Sequence, residues 1–77
     1  MQEVLAILEQ IIQDKRVPRN IRETTSRVKD ILLDDSVELS VRVDKAIQLL
    51  DEVSLDPNMP PHARTLVWHV VSSLESQ

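Results

Sequence analysis

Three nine-residue stretches, "DKRVPRNIR" from Asp14, "DDSVELSVR" from Asp34 and "DPNMPPHAR" from Asp56, superpose on their final arginines, Arg22, Arg42 and Arg64. In that frame an aspartate stands eight residues before each arginine; Val17, Val37 and Met59 share one position, and Ile21, Val41 and Ala63 another. Spacings of 20 and 22 residues separate the arginines. So short a period holds one corner and one helix per unit, and the chain is expected to be a succession of single helices that hide their apolar faces on one another. The pattern Asp-x-x-(Val/Met)-x-x-x-apolar-Arg is a corner device in physical terms. Its aspartate accepts backbone donors near a turn or helix start. The apolar residue three positions on plugs the end of a core, and the arginine is expected to tie back to an aspartate, its own or a neighbour's. Such a pairing enforces geometry more than it adds stability. Pro18, Pro57, Pro60 and Pro61 stiffen the first and third corners, Pro18 and Pro60 or Pro61 at helix starts, where a missing N–H costs nothing.

The segments between corners carry helical periodicity. Val4, Leu5, Ile7, Leu8, Ile11 and Ile12 sweep an arc of roughly 160°, wider than a surface helix needs. Ile21, Thr24 or Thr25, Val28, Ile31 and Leu32 make a second stripe; Val43, Ala46, Ile47, Leu50 and Val53 a third; Ala63, Leu66, Val67, Val70, Val71 and Leu74 a fourth. Helices are expected near residues 2–14, 18–33, 40–54 and 60–75, with Ser36 and Ser40 as caps of the third. The fold class is all-α: a four-helix bundle or a short stack of antiparallel helices with repeated corners, in one domain over residues 1–77. The 77 residues include no glycine, which argues against tight hairpins and removes any glycine-rich phosphate loop. Cysteine is also absent, so disulfides and thiolate metal ligation are excluded. The amino end is acidic and amphipathic, unlike a signal peptide, and no run of about 18 apolar residues occurs. A cytoplasmic protein with no membrane partner is expected.

Charge distribution is more informative than the net −4. Residues 15–29 hold six basic side chains against one acid, net +5, and residues 30–56 hold eight acids against two bases, net −6. These segments are expected to attract each other, within one fold or between two copies. Lys15, Arg16 and Arg19 around the first corner are the candidate nucleic-acid contact, and a small RNA-associated module is the alternative function. The acidic total and the absence of phenylalanine and tyrosine for base stacking weigh against it. His62 and His69 lie seven residues apart, about 10.5 Å along a helix, too far to ligate one ion together. Ser72 follows His69 by three residues, but nothing in the sequence adds an oriented acid and an oxyanion donor. Asp51 and Glu52 diverge by about 100° on a helix and make a poor catalytic pair. No enzyme activity, metal or cofactor is therefore expected.

Association with protein accounts better for the apolar excess. In "SLDPNMPPHARTLVWHV", residues 54–70, a proline-stiffened corner leads into the last helix. His62 and Arg64 sit near that helix start, where a cation meets an unfavourable dipole, so Asp56 is the expected compensating neighbour of His62. Trp68 points roughly 120° from the centre of the inward stripe and Val71 bridges the gap. A lone tryptophan there either caps the core by leaning across it, the commoner fate, or anchors a partner. Trp68 and Val71 are the candidate protein interface, for a second copy in a homo-oligomer or for an unidentified protein.

Two resemblances add to this reading. "VRVDKAIQLL" resembles part of a HEAT-class repeat, which implies a right-handed pile of antiparallel helices and a protein-binding surface, although such repeats use two helices in about 40 residues. "VPRNIR", "LLDEVSLDPNMPPHART" and "VWHVVSSLE" together resemble a small archaeal family, uncharacterised protein family number 147, over nearly the whole chain. The resemblance implies an all-helical cytoplasmic archaeal protein and brings no established molecular activity.

Overall fold

The computed structural model describes residues 1–77 and holds four helices: α1 Gln2–Ile12, α2 Arg19–Leu33, α3 Leu39–Ser54 and α4 Pro61–Glu75. Three corners of one design join them. In each, the aspartate Oδ1 accepts the backbone N–H two residues on, from Arg16 at 2.9 Å, Ser36 at 3.1 Å and Asn58 at 2.8 Å. The aspartate carbonyl then accepts from Val17, Val37 and Met59 at 3.0, 3.2 and 3.1 Å. Pro18, Glu38 and Pro60 follow as N-caps with φ between −55° and −63°, an angle that proline supplies without strain. Their carbonyls receive the N–H groups of Arg22, Arg42 and Arg64 at 3.0 Å, which starts the next helix.

Two local expectations are corrected. The first helix ends at Ile12 instead of residue 14, because Asp14 already belongs to the corner turn. Ser36 and Ser40 do not cap α3: Ser36 donates its hydroxyl to Asp34, Ser40 lies inside the helix, and the N-cap is Glu38.

The arginines are corrected too. They tie to carbonyls and not to aspartate carboxylates. Arg22 Nε donates to the Val17 carbonyl at 3.0 Å, and Arg42 Nε to that of Val37 at 2.8 Å. Arg42 Nη1 also reaches the Leu32 carbonyl at 2.8 Å, and Arg64 donates to the carbonyls of Ser54 and Asp56. The last carbonyls of a helix lack intrahelical donors, and the guanidinium fork can serve several of them at once. The aspartates are meanwhile occupied by the turn.

Each helix packs on two neighbours, α1 on α2, α2 on α3, α3 on α4 and α4 back on α1, with no close backbone approach across either diagonal. This is a closed up-and-down bundle, not an open stack. Val4, Leu8 and Ile11, then Ile21, Val28 and Leu32, then Val43, Ala46, Leu50 and Val53, and last Ala63, Val67, Val70 and Leu74 fill its core. Thr25, not Thr24, is the buried member of the second stripe, and its hydroxyl donates to the Ile21 carbonyl at 2.8 Å. With alternating helix directions, the first and third corners share one end. The middle corner and both termini share the other. The plugs differ accordingly: Val17 and Met59 are 1% and 4% exposed, whereas Val37 is half-buried and Val41, the middle counterpart of buried Ile21 and Ala63, is 40% exposed.

Candidate functional site

At the end shared by two corners, the side chains cross-link reciprocally. His62 Nε2 lies 2.7 Å from Asp14 Oδ2, and Asn20 Nδ2 donates to Asp56 Oδ2 at 3.1 Å. Asn20 and His62 occupy the same place in the corner repeat, so each corner reaches the aspartate of the other. His62 therefore meets Asp14 and not the expected Asp56: a side chain on the first turn of its helix points across the end, away from its own turn. Arg16 first, then His62, hold the Asp14 carboxyl well below the usual carboxylate range. The Asn58 N–H and then the Asn20 amide lower that of Asp56, and at the opposite end the Ser36 hydroxyl and N–H lower that of Asp34. These groups hold the chain's corners together, with the Asp14 and Asp56 carboxylates each engaged by their own turn and by the opposite corner.

The basic corner is dispersed by its ion pairs. Arg16 Nε and Nη2 bond the Asp14 carboxylate at 3.0 and 3.1 Å, Arg19 Nε bonds Glu23 at 3.0 Å, and Lys15 is exposed. Two of the three cations proposed for phosphate contact thus already face carboxylates. The expected attraction between the +5 and −6 segments yields no ion pair; Lys29 instead meets Glu9 of α1 at 2.6 Å, where it and then Gln13 lower the glutamate's pKa. The reason is geometric: Lys29 of α2 reaches α1, and α3 carries its acids Asp44, Asp51 and Glu52 outward.

Along α4, the inward stripe fills the core with small and aliphatic side chains, and Trp68 is left 69% exposed. It does not lean across the core, because Ala63, Val67, Val70 and Leu74 already close that face. Val71 is half-buried against the core margin. Arg64 reaches the C-terminal end of α3, so its flank of α4 is turned toward α3. Helical spacing puts Trp68, Val71 and Glu75 on the same flank. Beside it lies an open groove of about 620 Å³ between α3 and α4, with Leu39, Val43, Ile47 and Leu74 as its apolar lining and Asp44 and Glu75 among its polar residues. Sequence reasoning missed this groove, since its walls come from two separate segments, residues 39–47 and 74–77; half-buried Ile47 on the margin of the third stripe was the available signal. A smaller groove of about 370 Å³ between α1 and α4 holds His69 with Ile7 and Leu66, and His62 is not among its lining residues. No helix is long and apolar enough to cross a membrane.

Corner-and-helix units closed into a ring define a small all-α bundle clasped by polar side chains at one end, with Leu55 exposed beside the third corner and Trp68 exposed along α4. The chain belongs to the uncharacterised protein family UPF0147, whose model matches residues 1–77. Among its relatives, the UPF0147 protein TK2131 of Thermococcus kodakarensis is 46% identical over 76 residues, covering 97% of this chain and 92% of the relative. The UPF0147 protein MJ1419 of Methanocaldococcus jannaschii is 49% identical over 72 residues, covering 94% and 77%. A crystal structure of the unknown function protein MMP1188 superposes with a TM-score of 0.95 at 46% identity, over 99% of this chain and 86% of that one. A second, from the same uncharacterised family in Thermoplasma acidophilum, gives 0.94 at 35% identity, over 97% and 88%. These relatives are archaeal, and neither they nor the solved structures bring a specific molecular activity.

Proposed function

We propose that this chain is a non-catalytic, cytoplasmic protein-interaction module that meets its partner through the flank of α4 carrying Trp68 and Val71. The observation that carries the reading is the exposure of Trp68, the only Phe, Tyr or Trp side chain of the chain, on α4 about 9 Å before Leu74 of the apolar groove, whose lining does not include it. A tryptophan side chain buries on the order of 150–250 Å² when covered, and its amphipathic ring is a frequent anchor at interfaces. Its own fold has little use for it here, so Trp68→Ala should change stability by less than about 0.5 kcal/mol.

The test is affinity purification from native extract with wild type, Trp68→Ala and Val71→Asp as baits, each in nuclease-treated and untreated halves. Proteins kept by the wild type in both halves and lost with either variant uphold the reading. Proteins held equally by all three baits, or released by nuclease, overturn it.

A further inference from the structure

We infer that the α3–α4 groove receives a basic amphipathic helix of another protein, its apolar side on Leu39, Val43, Ile47 and Leu74 and its cations against Asp44 and Glu75. The inference rests on the reading of the α4 flank as an interface and names the chemistry of what binds there.

Charge selects this occupant. The groove lining includes two acids and no base. The nearby cations face elsewhere: Arg42 is held by the Leu32 and Val37 carbonyls on the α2 side, and exposed Lys45 lies about 160° around α3 from Ile47. Arg64, farther along the flank, is committed to the carbonyls of Ser54 and Asp56. An apolar floor with acids and no free cation attracts a helix whose apolar stripe is bordered by lysine or arginine. A second copy fits badly, because pairing this surface with itself sets Asp44 and Glu75 against their own like charges. Length agrees as well. Leu39 and Ile47 are eight residues apart, about 12 Å along α3, and Trp68 lies six residues, about 9 Å, before Leu74 on α4. Three to four turns of a partner helix, with anchors at i, i+3 or i+4 and i+7, cover both the groove and the tryptophan.

The probe is an 18-residue synthetic helix with leucine on one face and lysine on the other, labelled at one end with fluorescein, beside a matched peptide with glutamate in place of lysine. Fluorescein anisotropy reports binding, and the emission of Trp68, the only tryptophan, reports coverage of the flank. The expected result is saturable one-to-one binding of the lysine peptide that weakens with salt. Asp44→Lys with Glu75→Lys should reduce its affinity about tenfold or more, while the charge-matched control Glu3→Lys with Asp30→Lys, on α1 and α2, should change it less than about twofold. Equal losses in the two double variants, or equal binding of the glutamate peptide, overturn the inference. So does formation of dimers by the protein alone with a blue shift of Trp68, which would leave the α4 flank standing as an interface. Groove-dependent binding of the lysine peptide that leaves Trp68 emission unmoved upholds the groove and overturns instead the assignment of the tryptophan.

Discussion

Val17 and Val37 occupy the same place in the corner repeat, yet one is sealed and the other half-buried, which makes Val→Ala at the two positions a controlled comparison. Truncation removes two methyl groups. At about 0.8 kcal/mol per buried carbon the transfer loss at Val17 is about 1.6 kcal/mol. The cavity left between the two clasped corners raises it to about 2–3 kcal/mol. Val37 loses about half the transfer amount, and its open surroundings relax into the gap, so Val37→Ala should cost less than about 1 kcal/mol. Urea unfolding followed by circular dichroism, with a shared slope, measures the difference. In a domain of this size each kcal/mol moves Tm by roughly 4–8 °C, so Val17→Ala should melt at least about 5 °C below Val37→Ala. Equal losses, or a larger one at Val37, would refute the claim that the bundle has one sealed end and one open end.

Three further outcomes follow from the same geometry. Thr25→Val keeps the shape of a fully buried side chain and gives up one hydroxyl donation to Ile21, so urea unfolding should show a change within about 1 kcal/mol, while Thr25→Ala should cost more. Glu9, Asp14, Asp34 and Asp56 all have pKa values lowered by their partners, so their stabilising effect is complete above the usual carboxylate range and fades as pH falls through it. Tm should therefore drop steadily below about pH 5, and less steeply in Asp14→Asn; a Tm independent of pH down to about pH 2 would show that these contacts do not persist in solution. For the clasp itself, Asp14→Ala and His62→Ala should together lose less stability than the sum of the two single losses, and strict additivity would mean that the pair at 2.7 Å is not coupled.

What the sequence made legible was whatever depends on spacing within one segment. The four apolar stripes name all the buried helical positions, because a helix sets its inward face by its own periodicity. The corners were visible because the aspartate, the plug and the arginine repeat in one frame. The acceptors of the arginines were not, since Leu32 and Ser54 offer carbonyls that become available only when a helix ends there. His62 was matched to the nearest aspartate in the chain; its real partner is 48 residues away. Parity could have found it, because in an up-and-down bundle the first and third corners must meet, and Asn20 and His62 already shared a repeat position. Trp68 shows the opposite limit. Its angle around α4 put it at the margin of the core, but whether a margin residue folds inward depends on the space its neighbours leave, which pattern alone does not measure.

The same parity explains where function can reside. Three corners distributed over two ends leave one corner without a mate. At the paired end, Asp14, Arg16, Asn20, Asp56 and His62 are the residue types from which sites are commonly built, yet each satisfies a group in its own or the opposite corner. A ligand that takes the Asp14 or Asp56 carboxylate as its partner competes with the contacts that close the bundle. The unpaired end lacks that closure: Val37 is incompletely covered, Leu33, Leu39 and Val41 are exposed, and the α3–α4 groove opens beside them. Single exposed aliphatics, such as Leu55 at the paired end, are ordinary on a protein surface; an apolar groove lined by exposed Leu39, with the one tryptophan about 9 Å farther along α4, is the arrangement expected of an interaction surface. The residues that looked most chemical in the sequence thus serve the fold, and the interface proposed on α4 draws on residues that the fold leaves exposed.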